Sequence, residues 1–114
     1  MNILEMVEEL RVAANQEKNF RMSSRLIAEE YGEWTEEYHF KDNPEDELKE
    51  LTDLVYVIFG YANSQGWDLN EAVKRVHENN MGRMYQPDGT IKRREDGKVL
   101  RNKEYPKVQL GDLV

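Results

Sequence analysis

The sequence contains no cysteine and no long apolar run. Without cysteine, neither a disulfide framework nor a thiolate metal site can form. No apolar run approaches the ~20 residues that a membrane-spanning helix needs, and the first residues, MNILEMVEEL, lack a basic leader. We therefore expect a soluble, cytoplasmic protein that has no membrane partner.

Positive charge is scarce outside the C-terminal end. Residues 1–90 contain 9 Lys and Arg against 19 Asp and Glu, whereas residues 91–114 contain 7 against 4. Because binding to DNA or RNA requires a broad basic surface that neutralises phosphates, we expect no nucleic-acid polymer as a partner. An acidic body can instead bind divalent cations, and a basic tail can bind an anion.

The length and the apolar periodicity predict one helical domain. A chain of 114 residues has the usual size of a single domain, so we assign residues 1–114 to one. Apolar residues at helical spacing, together with capping and stop signals, predict four helices: about 2–15, 23–40, 44–65 and 68–82. Ser23 or Ser24 is the predicted N-cap of the second helix. The predicted fold class is an all-α four-helix bundle, with a helical core of about 2–82 and an irregular, basic C-terminal arm of about 83–114.

Four carboxylates are predicted to converge between the second and third helices. Asp53 is the only charge in the stretch 51–62, so this part of the third helix must be largely buried. Glu50 lies one turn earlier on the same face, because residues three apart are neighbours on a helix. Glu30 and Glu33 have the same spacing on the second helix. Antiparallel packing through these faces would bring all four together.

Such a cluster requires a cation. Each unpaired ion in a partly dry cleft costs several kcal/mol. The stretch 26–62 contains only two cationic residues, Lys41 and Lys49, and we expect neither on this face. A divalent metal is therefore predicted, and all-oxygen ligands favour Mg²⁺, with Mn²⁺ as a substitute.

Two apolar surfaces indicate how the helices pack. Ile27, Tyr31, Trp34 and Tyr38 form a stripe on the second helix, which we predict to be its packed face, with the acidic row at its edge. The third helix is apolar on most sides, and three other short helices of one chain can hardly cover it. We therefore predict a homo-oligomer, either a dimer or a dimer of dimers.

The acidic pattern resembles a known family signature. Glu29-Glu30-x-x-Glu33, followed after sixteen residues by Glu50-x-x-Asp53, is similar to the motif of the all-α nucleoside triphosphate pyrophosphohydrolases. This superfamily contains MazG, the dimeric dUTPases and phosphoribosyl-ATP pyrophosphohydrolase. Residues 76–84, VHENNMGRM, resemble the Val-His-x-x-Asn-Met-Ser-Lys segment of such relatives, and residues 94–106 resemble their C-terminal arm.

The resemblance implies roles for the acidic residues. It makes Glu29 the carboxylate that orients or deprotonates the attacking water. The implied Mg²⁺ ligands are Glu30, Glu33, Glu50 and Asp53.

It also implies a set of substrate-binding residues, which lie near or contact the phosphates of the nucleotide. They are Asn80, Arg83, Lys92, Arg94 and Lys98.

The expected function is Mg²⁺-dependent hydrolysis of (deoxy)nucleoside triphosphates between the α and β phosphates, which yields a monophosphate and pyrophosphate. Phosphoribosyl-ATP is an alternative substrate, and a non-catalytic acidic interaction module is an alternative function. A third alternative is a carboxylate-bridged redox bundle. Glu36-x-x-His39 would supply one ligand pair, but Lys74 stands three residues before the only other histidine, His77.

Overall fold

The part of the chain that the structure describes folds into four α-helices. The computed structural model describes residues 1–40 and 42–114. The helices are α1 (Ile3–Ala13), α2 (Phe20–Phe40), α3 (Pro44–Gln65) and α4 (Leu69–Arg83). A short 3₁₀-helix covers Gly111–Leu113. Within the described ranges there is no β-strand, so the predicted all-α class is confirmed. No helix in these ranges has both the length and the hydrophobicity needed to cross a membrane.

The ends of α3 are set by capping residues at both termini. The Asn43 side chain accepts a hydrogen bond from the backbone N–H of Glu45 at 3.1 Å, and Pro44 occupies the first turn. At the other end Gly66 adopts the left-handed conformation with φ 77°. A side chain is strained there, so glycine ends the helix at low cost.

The start of α2 was predicted wrongly. The helix begins at Phe20, three residues before Ser23. The side chain of Asn19 accepts from the N–H of Met22 at 3.0 Å, so Asn19 performs the capping role. The Ser24 hydroxyl instead donates to the carbonyl of Arg21 within the helix. Asparagine is at least as good an N-cap as serine, and this explains the earlier start.

Residues 1–70 form a compact unit in which α3 packs against both α1 and α2. Its buried apolar side chains include Val7, Phe59 and Ala62. The packed face of α2 differs from the prediction, because Tyr31 and Tyr38 are 55% and 61% exposed.

Neither face of α2 is covered along its whole length, because Ile27 and Trp34 of the aromatic stripe are half-buried and Glu33 of the acidic row is exposed. Glu37 is buried and Glu30 is half-buried. The rings of Trp34 and Tyr38 stack on each other with centroids 5.7 Å apart. Tyrosine tolerates this exposure because its hydroxyl can remain hydrated while the ring covers a neighbour.

Residues 71–113 form a second compact unit, in which the chain that follows α4 is held along that helix. Arg75 donates to both carboxylate oxygens of Asp112, at 2.6 and 2.9 Å. The Asn79 amide donates to the carbonyl of Pro106 at 2.8 Å. Apart from the 3₁₀-helix and one antiparallel bridge between Arg93 and Val99, the described part of the arm is irregular, and these contacts fix its path. The assignment of residues 1–114 to one domain stays a prediction.

We expect the contact of Glu8 with α3 to make folding sensitive to acid. Hydrogen bonds from Arg11 and then from Asn63 lower the pKa of Glu8 to about 2. A lowered pKa stabilises the fold above the unfolded value of about 4.3, and this contribution is lost as the pH falls towards 2. In urea titrations at pH 7 and pH 2.5, Glu8→Gln should therefore lower the free energy of unfolding at pH 7 and change it little at pH 2.5. An equal effect of Glu8→Gln at both pH values would contradict the stabilising role of ionised Glu8. Glu9→Gln, on the exposed side of α1, is the control.

Gly82 lies where the Tyr105 side chain of the arm approaches α4 closely. A Cβ at this position would collide with the hydroxyl and ring of Tyr105. Alanine normally stabilises a helix over glycine by about 0.5–1 kcal/mol. We therefore expect Gly82→Ala not to increase the free energy of unfolding in the natural chain. In a Tyr105→Ala background, the same substitution should increase it. Equal changes in the urea unfolding free energy in both backgrounds would show that the ring does not restrict position 82.

Candidate functional site

Carboxylates from α2 and α3 meet in the first unit. Glu30, Glu50 and Asp53 each contribute an oxygen, and these three oxygens lie within 4.8 Å of one another. All three residues are half-buried. Glu33 is exposed and is not one of the three converging residues, but hydrogen bonding and repulsion from its carboxylate raise the pKa of both Glu30 and Glu50. We call these four residues the carboxylate cluster.

The cluster is electrostatically unsatisfied. Burial raises the pKa of Glu30, and repulsion from Glu33 raises it further. Burial likewise raises the pKa of Glu50, followed by hydrogen bonding to Glu33. One buried oxygen of Glu30 and one of Glu50 accept no hydrogen bond from the described residues. Buried polar atoms are rarely left without a partner, so these two oxygens point to a ligand.

Lys49 neutralises part of the cluster, contrary to the expectation from sequence. Its Nζ lies 2.5 Å from Oδ2 of Asp53. The spacing in the sequence could have predicted this ion pair, since Lys49 and Asp53 are four residues apart and such residues are neighbours on a helix. The Lys49 side chain is 68% exposed, so solvent weakens the pair. The expectation for Lys41 falls outside the described residues. One such cation still leaves a large excess of negative charge.

The donor set fits a hard divalent cation. The three converging oxygens are all carboxylate oxygens, which suit Mg²⁺ or Mn²⁺ better than softer metals. Neither His39 nor His77 belongs to a group of potential metal ligands in the ranges that the structure describes. The geometry therefore favours an oxygen-ligated metal over the redox centre that was considered as an alternative.

Glu29 lies on α2 next to Glu30 but does not join the cluster. Its side chain is exposed. Its carboxylate has no hydrogen bond or ion pair within residues 1–40 and 42–114.

The second unit contains a cavity with a basic lining, which we call the arm cavity. Its volume is about 710 Å³. Three of the predicted phosphate contacts, Arg83, Arg94 and Lys98, line it. So do Lys103 and Lys107, which the sequence reasoning did not single out. No acidic side chain is part of the lining, so the cavity is suited to an anion.

The two other predicted substrate residues do not line this cavity. The Asn80 side-chain oxygen accepts from Arg83 at 2.6 Å, so Asn80 positions the guanidinium. Lys92 lines a separate cavity of about 370 Å³. Arg94 is partly neutralised by Asp96, 2.6 Å away. Of the three predicted phosphate contacts that line the arm cavity, only Arg94 forms an ion pair among the described residues, so Arg83 and Lys98 have more charge available for a ligand.

Part of the chain matches the model of a known protein family. Residues 2–80 match the model of a family described as phosphoribosyl-ATP pyrophosphohydrolase. This segment is more than half of the chain, and it contains Glu29, the whole carboxylate cluster and Asn80. The arm after residue 80 lies outside the match. No curated protein matches the chain.

Proposed function

The chain belongs to the phosphoribosyl-ATP pyrophosphohydrolase family, and we propose that it hydrolyses (deoxy)nucleoside triphosphates between the α and β phosphates. Membership places it among the all-α MazG-like pyrophosphohydrolases, as the resemblance implied. It is therefore a nucleotide pyrophosphohydrolase that cleaves an acid anhydride with the help of a metal. The choice of triphosphates as substrates is our proposal.

The observation that carries the proposal is the convergence of carboxylates with buried, unpartnered oxygens. Glu30, Glu33, Glu50 and Asp53 would hold Mg²⁺, for which Mn²⁺ can substitute. When bound, the ion neutralises charge on the phosphate oxygens and lowers the pKa of water. The same four side chains would then fix the position of the polyphosphate by way of the ion.

Glu29 is proposed as the proton acceptor. Its exposed carboxylate would orient a water molecule and take its proton as the water oxygen bonds to phosphorus. The bond from phosphorus to the bridging oxygen breaks, and the electrons leave with that oxygen. The products are the nucleoside monophosphate and pyrophosphate.

Cations of the second unit are proposed to contact phosphate. Arg83 and Lys98 line the arm cavity, whereas Arg94 shares its charge with Asp96. Arginine can hold two phosphate oxygens with its planar fork, while lysine acts as a point charge. Lys92 and Asn80 are proposed to act at the edge of the bound phosphates.

A homo-oligomer, dimer or dimer of dimers, is the proposed assembly. Four large apolar residues of α3 lie outward at spacings of three, four and three: Leu48, Leu51, Val55 and Ile58. We call them the α3 stripe. Their exposure ranges from 38% to 63%. A contiguous apolar strip of this kind is typical of an interface, since single exposed apolar residues would not align on one face.

Phosphoribosyl-ATP is the second candidate substrate, and the description of the matched family favours it. It contains the same α–β anhydride, so the chemistry proposed for the carboxylate cluster applies equally.

A substrate panel with Mg²⁺ tests the proposal. Purified protein is incubated with dCTP, dUTP, dATP and phosphoribosyl-ATP, and pyrophosphate and the monophosphate are quantified. We expect equimolar release of both from at least one deoxynucleoside triphosphate. Release from phosphoribosyl-ATP alone would overturn the substrate class, whereas Mg²⁺-independent binding of a basic partner without any turnover would favour the interaction module.

A further inference from the structure

The arm cavity contains more positive charge than the proposed hydrolysis uses. Six cationic side chains line it: Arg83, Arg94, Lys98, Arg101, Lys103 and Lys107. Arg101, Lys103 and Lys107 have no role in the hydrolysis described above, and we call them the turn cations. The lining lies entirely within residues 79–108, so the cavity belongs to the second unit alone. A strongly basic cavity in a chain with a net charge of −7 points to an anionic ligand.

Most of these cations have no counter-charge. Arg94 pairs with Asp96, whereas Arg83 donates to the uncharged amide of Asn80. In the part of the chain that the structure describes, the side chains of Lys98 and the turn cations form no ion pair, and no Asp or Glu belongs to the lining. A cleft lined by charges of one sign concentrates the field that attracts the opposite charge. The cavity therefore favours a ligand with several negative charges.

Hydrogen bonds hold the backbone beside the turn cations in place. The N–H of Asn102 donates to the carbonyl of Arg83 at 2.7 Å, which joins the arm to the last residue of α4. The Asn102 side-chain oxygen accepts from the N–H of Glu104 at 2.9 Å, and the carbonyl of Pro106 accepts from Asn79. Each turn cation is adjacent in sequence to Asn102 or Pro106. Its backbone position is therefore fixed before a ligand binds, which lowers the entropic cost of binding.

The lining suits phosphate that is neutralised directly rather than by way of a metal. It includes no described carboxylate, whereas protein sites for Mg²⁺ use carboxylate oxygens. Arginine and lysine bind phosphate oxygens themselves, arginine through a planar fork and lysine as a point charge. A single phosphate can reach few of the six cations at once, because they are distributed around a cavity of about 710 Å³. A chain of two or three phosphates can contact several of them.

We propose that the arm cavity is a metal-independent binding site for a polyphosphate group, in which the turn cations act together with Arg83 and Lys98. Two sources share this chemistry: the phosphates of a nucleotide, and free inorganic polyphosphate such as pyrophosphate. The inference goes beyond the proposed function, because it requires neither the carboxylate cluster nor turnover. The second unit would bind polyphosphate even when no divalent cation is present.

Calorimetry with protein and buffers freed of divalent cations tests the proposal. The probes are inorganic tripolyphosphate, orthophosphate and the α,β-imido analogue of dATP. In the natural chain we expect one saturable site per chain for tripolyphosphate, and binding of orthophosphate that is weaker by at least about tenfold. Lys103→Gln combined with Lys107→Gln should weaken tripolyphosphate binding by at least about tenfold, because two charge-assisted contacts are lost. Tighter binding of the dATP analogue than of tripolyphosphate would identify a nucleotide as the ligand, and equal or weaker binding would identify free polyphosphate.

Lys18→Gln combined with Lys74→Gln is the matched control, because it removes the same charge from two exposed positions outside the arm cavity. This variant should bind tripolyphosphate like the natural chain. Equal weakening in both double variants, absence of saturable binding, or orthophosphate binding as tight as that of tripolyphosphate would overturn the inference.

Glu50→Gln separates this result from failure of the proposed function. Glu50 belongs to the first unit and does not line the arm cavity, so the variant should retain metal-free binding of tripolyphosphate while it loses turnover. If the natural chain bound tripolyphosphate in this way but released no pyrophosphate from any nucleotide, the proposed function would fail and the binding site would stand.

Discussion

Glu50→Gln should lower kcat/KM for the best substrate by at least ~10³-fold, which corresponds to about 4 kcal/mol of transition-state stabilisation. Glu50 supplies one of the three converging oxygens. An amide has no negative charge, so the variant binds a divalent cation poorly and loses the neutralisation of phosphate charge. Steady-state pyrophosphate release at saturating Mg²⁺ measures the loss, and circular dichroism should show nearly unchanged helical content.

The same substitution should have the opposite effect on stability without metal. The pKa of Glu50 is raised by burial and then by hydrogen bonding to Glu33. At pH 7 this carboxyl is ionised in the unfolded chain, but its raised pKa means that ionisation is disfavoured in the folded chain. The charge of Glu50 therefore destabilises the folded state when no metal is bound. In chelator, Glu50→Gln should therefore melt at the same temperature as the natural chain or higher. Added Mg²⁺ should raise the melting temperature of the natural chain but not that of Glu50→Gln, because binding to the folded state stabilises it.

Glu9→Gln provides the control for both measurements, since Glu9 is exposed on α1 outside the cluster. It should retain full turnover and the response to Mg²⁺. If Glu50→Gln turned over like this control, the carboxylate cluster would not be the hydrolytic site.

Ile58→Glu should convert the oligomer to monomers. Ile58 is 38% exposed at one end of the α3 stripe. In a two-fold symmetric interface the change occurs twice, and a charge in place of an apolar interface contact costs about 2 kcal/mol in each copy. The dissociation constant should thus rise by about 10³-fold. Sedimentation velocity from 1 to 100 μM measures the shift.

Val12→Glu distinguishes an interface from a general effect of charge. Val12 is 61% exposed on α1, away from the α3 stripe. We expect this variant to sediment like the natural chain. A natural chain that is already monomeric at micromolar concentration would refute the proposed assembly.

Local signals predicted the parts of the fold that depend on nearby residues. Asn43, Pro44 and Gly66 act within one turn of themselves, so the limits of α3 follow from capping alone. The meeting of Glu30 with Asp53 was also predictable. Asp53 is the only charged residue in an apolar stretch of α3, so its carboxylate had to face a polar group. The spacing of three residues between Glu50 and Asp53 showed which face of the helix this is.

Other features depend on competition between alternatives, which the pattern alone did not resolve. Asn19 and Ser23 could each cap α2, and the hydrogen bond to Met22 selected Asn19. The aromatic stripe of α2 was assumed to face inward, but Tyr31 is exposed while Glu30 is half-buried. Apolar periodicity identifies a face without showing whether it is covered within the chain or by another copy.

The arm shows a second limit of sequence reasoning. Its turns were predictable from Asp-Gly pairs, and Gly89 and Gly97 have φ 83° and 87°. Its path along α4 was not, because it depends on single contacts such as Arg75 with Asp112. These residues are 37 positions apart, and no local periodicity connects them.

Crystals grown with Mn²⁺ and the α,β-imido analogue of dCTP test the central claim most directly. Anomalous scattering locates the manganese without reference to the protein atoms. The account predicts a peak about 2.1–2.2 Å from oxygens of Glu30, Glu50 and Asp53, close to the distances that Mg²⁺ adopts with oxygen ligands. A peak bound only elsewhere, in protein that still releases pyrophosphate, would contradict the assignment of hydrolysis to these carboxylates.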